Sequence, residues 1–118
     1  MTDESPIIWS PALYGDIDDM IQEAERQMEP PVKAFWDKIN IVPQKWQLPP
    51  WGDEGGGFWV VALVGQDCIY FNDIEDGFNI SRFETLGVIQ EYVSEQTELI
   101  FCIRSYYQAF LDAINPIM

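Results

Sequence analysis

The sequence predicts an α+β fold: a three- to four-stranded antiparallel sheet with an N-terminal helix and a long C-terminal helix packed against it. Three observations carry this expectation. Residues 58–64 (FWVVALV) form an uncharged run rich in aromatic and β-branched side chains, the composition of a strand buried on both faces. Gly65-Gln66-Asp67 is a tight-turn signal, and Cys68-Ile69-Tyr70-Phe71 resumes as a second strand, so the two runs read as a β-hairpin. Apolar residues at helical spacing lie on either side of this hairpin. Ile17, Met20, Ile21, Ala24 and Met28 precede it, and Leu99, Cys102, Ile103, Tyr106, Phe110 and Ile114 follow it. Helices before and after a sheet are accommodated most simply on one face.

Taken in order, residues 1–15 read as an extended leader, because Pro6, Pro11 and Gly15 interrupt any regular element. A helix is expected over residues 16–28, with Asp16 as N-cap, Asp18 and Asp19 favoured by the helix dipole, and Pro30-Pro31 as its stop. Val32, Phe35, Trp36 and Ile39 fit a second short helix with Pro31 at its first position. Residues 41–48 then read as an edge strand, since Pro43 is tolerated only at an edge or a bulge. The glycines of residues 52–57 read as a flexible approach to the hairpin. Residues 78–83 alternate apolar and polar as a half-exposed strand. Residues 87–92 either extend the sheet or begin a short helix, and Ser94 is expected to cap the C-terminal helix, which Pro116 ends. No linker, internal repeat or low-complexity tract divides the chain, so residues 1–118 are expected to form a single domain.

Composition narrows the function. The chain has 118 residues, 47% of them hydrophobic, which is too apolar for a disordered acidic tail. Six basic residues stand against twenty acidic ones, for a formal net charge of −14. Such a surface repels nucleic acid and anionic membranes and attracts basic proteins. Cys68 and Cys102 lie in apolar surroundings and read as buried free thiols. The N-terminus has no secretory-signal pattern and no apolar run reaches the length of a membrane span, so a soluble cytosolic protein is expected.

Most catalytic schemes fail on residue types. With no histidine there is no Ser-His-Asp or Cys-His unit, and two separated cysteines do not close a zinc site. The glycine run precedes a strand instead of linking strand to helix, and no Lys-Ser/Thr follows it, so it is not a phosphate loop. Residues 72–77 (NDIEDG) begin like a calcium loop, but Ile74 and Phe83 occupy positions that need oxygen ligands. The carboxylates sit at a sheet edge in a small domain, with little room for a cleft that would hold a sugar. No catalytic residue, cofactor or metal is therefore expected. Trp36, Trp46, Trp59, Phe83 and Phe110 read as core residues. Trp51 stands apart between Pro50 and Gly52, and reads either as a lid on the core or as an interface anchor.

Asp53 and Glu54 precede the hairpin, and Asp73, Glu75 and Asp76 follow it. Antiparallel strands bring both flanks to one end of the sheet. Five carboxylates beside Trp51 suit lysine and arginine donors. The candidate partner-binding residues are Trp51, Asp53, Glu54, Asp73, Glu75 and Asp76.

The centre WGDEGGGFWVVALVG…IYFNDIEDGFNIS, together with the acidic, histidine-free composition, resembles immunity proteins of bacterial polymorphic-toxin and contact-dependent growth inhibition systems. The resemblance spans residues 46 to the C-terminal helix. It implies a stoichiometric inhibitor of a cognate toxin domain, often a basic nuclease. Individual roles do not carry over from it, because each such inhibitor recognises its own toxin. Two other readings share the same residues. One is an acidic adaptor or nucleic-acid mimic that binds another basic protein. The other is a small carboxylate-based metal-binding or hydrolytic domain, including an irregular calcium site with Asp53 and Glu54.

Overall fold

A computed structural model describes residues 10–114, and for Glu54 it describes the backbone alone. Most of the leader, with Pro6 and Trp9, and the helix stop Pro116 lie outside the described residues. The fold is α+β, with helices α1 (Tyr14–Arg26), α2 (Pro30–Ile39) and α3 (Leu99–Ile114) around strands β1 (Asn40–Trp46), β2 (Phe58–Val64), β3 (Asp67–Asn72) and β4 (Gly77–Arg82). The strands form one antiparallel sheet in the order β1-β2-β3-β4. Among the described residues no helix is long and apolar enough to cross a membrane.

All three helices lie on one face of the sheet. Ile17 and Ala24 of α1, Phe35 and Trp36 of α2, and Leu99, Cys102 and Ile103 of α3 share a buried cluster with Val61, Ile69, Phe71 and Phe78 from the strands. Polar ties fix the helices to one another and to the sheet. The Trp36 indole N–H donates to Glu25 at 3.0 Å, and Arg104 reaches from α3 to the Gln27 carbonyl at 2.9 Å and to Glu29 at 3.1 Å. The Tyr106 hydroxyl donates to Asp67 at 2.6 Å, which pins α3 to the β2–β3 turn.

Element ends differ from expectation where side chains found other partners. Asp16 is not the cap of α1. The helix starts two residues earlier, takes in Gly15, and Asp16 reaches back to the Leu13 N–H at 2.9 Å. Pro30 and Pro31 open α2 instead of only closing α1, since the first turn of a helix needs no N–H from them. Ser94 is not the cap of α3, which begins at Leu99, with the Glu98 carbonyl accepting from Phe101 and Cys102. Phe110 and Ile114, expected in the apolar stripe, are 42% and 56% exposed; Phe110 only touches Phe35, at a ring separation of 5.4 Å. β1 is the expected edge strand, and its register shifts across Pro43, where a ladder N–H is missing. The glycine run is a close-packed turn and not a loose approach. A Cβ at Gly57, where φ is +110°, would collide with the Trp46 carbonyl.

The second face of the sheet holds the main departure. β4 is not half-exposed: Asn79 and Ser81 are as buried as Phe78. Residues 83–98 cross this face as an irregular strap, neither sheet strand nor helix over most of their length. Phe83, Ile89 and Tyr92 seal Trp46, Phe58, Val60, Cys68 and Tyr70 beneath it. The strap touches the sheet ladder at two isolated bridges, Val88 with Gln47 and Thr97 with Phe78. Between those bridges its backbone is held by sheet side chains. The Tyr70 hydroxyl donates to the Glu91 carbonyl at 2.9 Å and accepts from the Val93 N–H at 2.7 Å. The Asn72 amide donates to the Val93 carbonyl at 3.0 Å, and the Asn79 amide donates to the Glu95 carbonyl at 3.2 Å. Ser81 accepts from the Glu91 N–H at 2.9 Å. Gly77 is required where the strap passes, because a Cβ there would collide with the Glu95 carbonyl and Gln96 Cα.

Two predictions follow from this packing. Tyr70→Phe keeps the ring but leaves the Val93 N–H without its acceptor, and is expected to lower stability by about 1–3 kcal/mol. Gly77→Ala is expected to cost a similar amount, about 1–3 kcal/mol, by forcing the strap off the sheet. Urea unfolding followed by tryptophan fluorescence measures both. A further prediction concerns alkaline pH. Burial pushes the Cys68 and Cys102 thiols from an ordinary 9.0, and the Tyr70 and Tyr106 hydroxyls from an ordinary 10.0, all up to about 12. For Tyr106 the hydrogen bond to Asp67 adds to the burial effect. The fold therefore holds these protons more tightly than the unfolded chain does. Their contribution is complete below pH 9.0 and drains away as pH rises from there through about 12. Thermal unfolding across pH 8 to 11 should show a falling Tm above about pH 9; a flat profile would contradict the buried placement of these groups.

Candidate functional site

The two acidic loops emerge at the same end of the sheet. β2 begins at Phe58 and β3 ends at Asn72, and Trp59 pairs with Phe71, so the loop before β2 and the loop after β3 are neighbours. The first loop is fastened to β1. Lys45 donates to the Gly55 carbonyl, the Gln47 amide donates to the Gly56 carbonyl at 3.0 Å, and Gly52 lies directly against the Phe58 ring. Asp53–Gly55 form a single 3-10 turn that holds Asp53 in solvent. The Glu54 side chain is outside the described residues.

The second loop, residues 73–76, is shaped by Asn72. Its buried side-chain oxygen accepts from the Ile74 and Glu75 N–H groups at 3.1 and 3.2 Å, while its amide holds the strap at Val93. Asp76 closes the loop at φ +61°, a left-handed conformation that Asp tolerates better than most residues. Asn72 thus couples strap, sheet and acidic loop through one side chain. Residue types alone placed Asn72 at the head of a calcium-like loop that fails at Ile74 and Phe83; an Asn directly before a short Asp- and Gly-containing turn was the signal of a capping role.

The predicted residues point in three directions. Asp73 turns toward the helix-bearing face, where it accepts from the Ala12 N–H at 2.8 Å, and so ties the segment before α1 to the sheet. Trp59 reinforces that tie by donating from its indole to the Ala12 carbonyl at 2.8 Å. Glu75 turns toward the strap and accepts from the Tyr92 hydroxyl at 3.4 Å. Trp51 stacks on Tyr92 at 4.4 Å between ring centroids, with 45% of its surface exposed. It is therefore both lid and ledge, with one face covering the aromatic cluster and the other facing solvent. Asp76 projects beside Gly77 into a groove bordered by α1 and the start of α3. The structure groups Trp51, Tyr92 and Glu75; it does not group Asp73 with them.

Charge is distributed unevenly. Arg26–Glu23, Lys33–Asp37 and Arg104–Glu29 form ion pairs on the helices. Among the described residues, Asp53, Glu75 and Asp76 join none of them. No group of three or more Cys, Asp or Glu side chains among the described residues is placed to hold a metal ion. Comparison with protein-family models, with curated proteins and with solved structures returned no match for this chain.

Asn72→Ala is expected to cost about 2 kcal/mol or more, since it strips the cap from the acidic loop and leaves a strap carbonyl unpaired. Hydrogen exchange should show the loss concentrated at Ile74, Glu75 and the strap, with α1 and α2 protected as before.

Proposed function

We propose that this chain is a stoichiometric protein inhibitor, an immunity protein that grips a basic toxin domain with the end of the sheet that carries Asp53, Glu75 and Asp76 beside Trp51. The observation that supports this most is a half-exposed tryptophan seated on the Tyr92 ring, with Glu75 bonded to the same tyrosine and joining no ion pair among the described residues. Large aromatic anchors with charged neighbours are what partner-binding hot spots are made of. The resemblance of residues 50–81 to immunity proteins of polymorphic-toxin systems points the same way, and makes a phosphate-gripping nuclease the favoured toxin.

The physics of such a grip is specific. Guanidinium and ammonium groups of the partner meet carboxylates whose loop is already ordered by Asn72, so little conformational freedom is lost on docking. A net charge of −14 steers a basic partner toward this protein, raising the association rate roughly 10- to 1,000-fold at low salt. Binding rather than turnover is the proposal, and without histidine no Ser-His-Asp or Cys-His unit can be built. The inhibitor would work in the cytosol of the producing cell, where its buried thiols stay reduced.

Co-expression tests the reading. The C-terminal domain encoded by the open reading frame directly upstream is expected to be toxic alone and harmless beside this protein. Replacing Asp53, Glu75 and Asp76 together by lysine, with Asp73 left intact because it serves the fold, is expected to slow association with that domain about 10-fold or more and to remove most of its salt dependence. Trp51→Ala is expected to speed dissociation at a cost of about 2 kcal/mol. Stopped-flow association at two salt concentrations decides: unchanged rates would mean that the acidic end only keeps the protein soluble.

A further inference from the structure

On the side of the acidic loop facing away from Trp51 lies a groove of about 350 Å³ between α1, the β3–β4 turn and the start of α3. Its floor is closed by the edges of Phe71 and Phe78, only 5% and 2% exposed, and half-buried Met20 is the apolar wall within a ligand's reach. Its rim carries Glu23, Asp76 and Glu98, and among the described residues no lysine or arginine lines it. Glu23 is neutralised by Arg26 at 2.5 Å, whereas Asp76 and Glu98 join no ion pair among the described residues. The N-terminus of α3 also faces the groove and contributes roughly half a positive charge. Two carboxylates outweigh it, so the mouth favours a cation over an anion.

A ligand that matches this groove needs an apolar stem and a cationic tip able to meet two carboxylates. Lysine's ammonium is compact and strongly hydrated, whereas arginine's guanidinium is weakly hydrated, planar, and able to engage carboxylates. We propose that the groove receives an arginine side chain of the partner protein, its methylenes against Met20 and its guanidinium shared by Asp76 and Glu98. This rests on the partner-binding reading above and adds a second contact to it. The acidic loop would then be a ridge clasped from both sides, with the Trp51–Tyr92 ledge on one and the arginine groove on the other.

The test uses the intact protein and a small probe. Amide-resolved NMR titration with N-acetyl-arginine amide is expected to give saturable shifts at Ala24, Gly77, Phe78 and Leu99, with a millimolar Kd. Asp76→Asn keeps a residue type that tolerates the left-handed conformation, and should weaken binding about tenfold. N-acetyl-norleucine amide, which has the stem without the charge, should bind more weakly than the arginine probe. Absence of saturable shifts at these residues would overturn the proposal, as would equal binding of the norleucine probe or insensitivity to Asp76→Asn. The co-expression outcome is separate. Arginine binding without protection from the upstream toxin would support the groove and remove that toxin as its partner. Protection without arginine binding would remove the groove alone.

Discussion

The structure depends on how one irregular stretch of backbone is satisfied. The strap over the second face of the sheet forms almost no ladder, yet its N–H and C=O groups approach a buried surface where water is excluded. Unpaired groups there would each cost free energy comparable to a lost hydrogen bond. Tyr70, Asn72, Asn79 and Ser81 meet that need at Glu91, Val93 and Glu95, placing hydroxyl and amide groups along neighbouring strands opposite those strap donors and acceptors. The buried side-chain polar groups are thereby satisfied as well. Each is tolerable because the other is present, which makes this a mutually dependent network instead of a set of separable bonds.

That network also positions the acidic end. Asn72 binds the strap with its amide and caps the 73–76 loop with its oxygen, so the loop's shape and the strap's position are set together. Tyr92, carried by the strap, lies under Trp51 and bonds Glu75. The Trp51 backbone is fixed by its N–H to the Leu48 carbonyl at 2.8 Å, and its ring by Tyr92. The basic residues that do make ion pairs serve the helices, and Asp53, Glu75 and Asp76 join no ion pair among the described residues, although the Lys45 ammonium is bonded to the Gly55 carbonyl in the first loop. A surface of this kind is suited to capturing a cationic protein because its charges are held before the partner arrives.

The expectations that held were those resting on short-range physics. The β2–β3 hairpin follows from a β-branched run broken by a glycine at φ +58°, and the edge position of β1 follows from Pro43. Those that failed share one cause. Asn79 and Ser81 alternate with apolar residues as solvent-facing positions do, but alternation reports only that one face is polar. It does not say whether water or another stretch of backbone lies opposite. In the same way Ser94 has the residue type of a cap, yet the strap runs on past it and α3 begins five residues later. Asp73 counted as one more surface carboxylate because nothing in its neighbourhood announces an acceptor for Ala12, 61 residues away.

The sequence by itself determined the α+β class, the hairpin, the amphipathic helices and the strongly negative charge, since each is written in the periodicity and composition of neighbouring residues. Only the tertiary structure decided which carboxylates serve the fold and which face outward, and that Trp51 rests on Tyr92 while Asp76 borders a groove. Those outcomes turn on contacts between segments far apart in the chain, and side-chain direction at such contacts is set by packing, which no local pattern encodes.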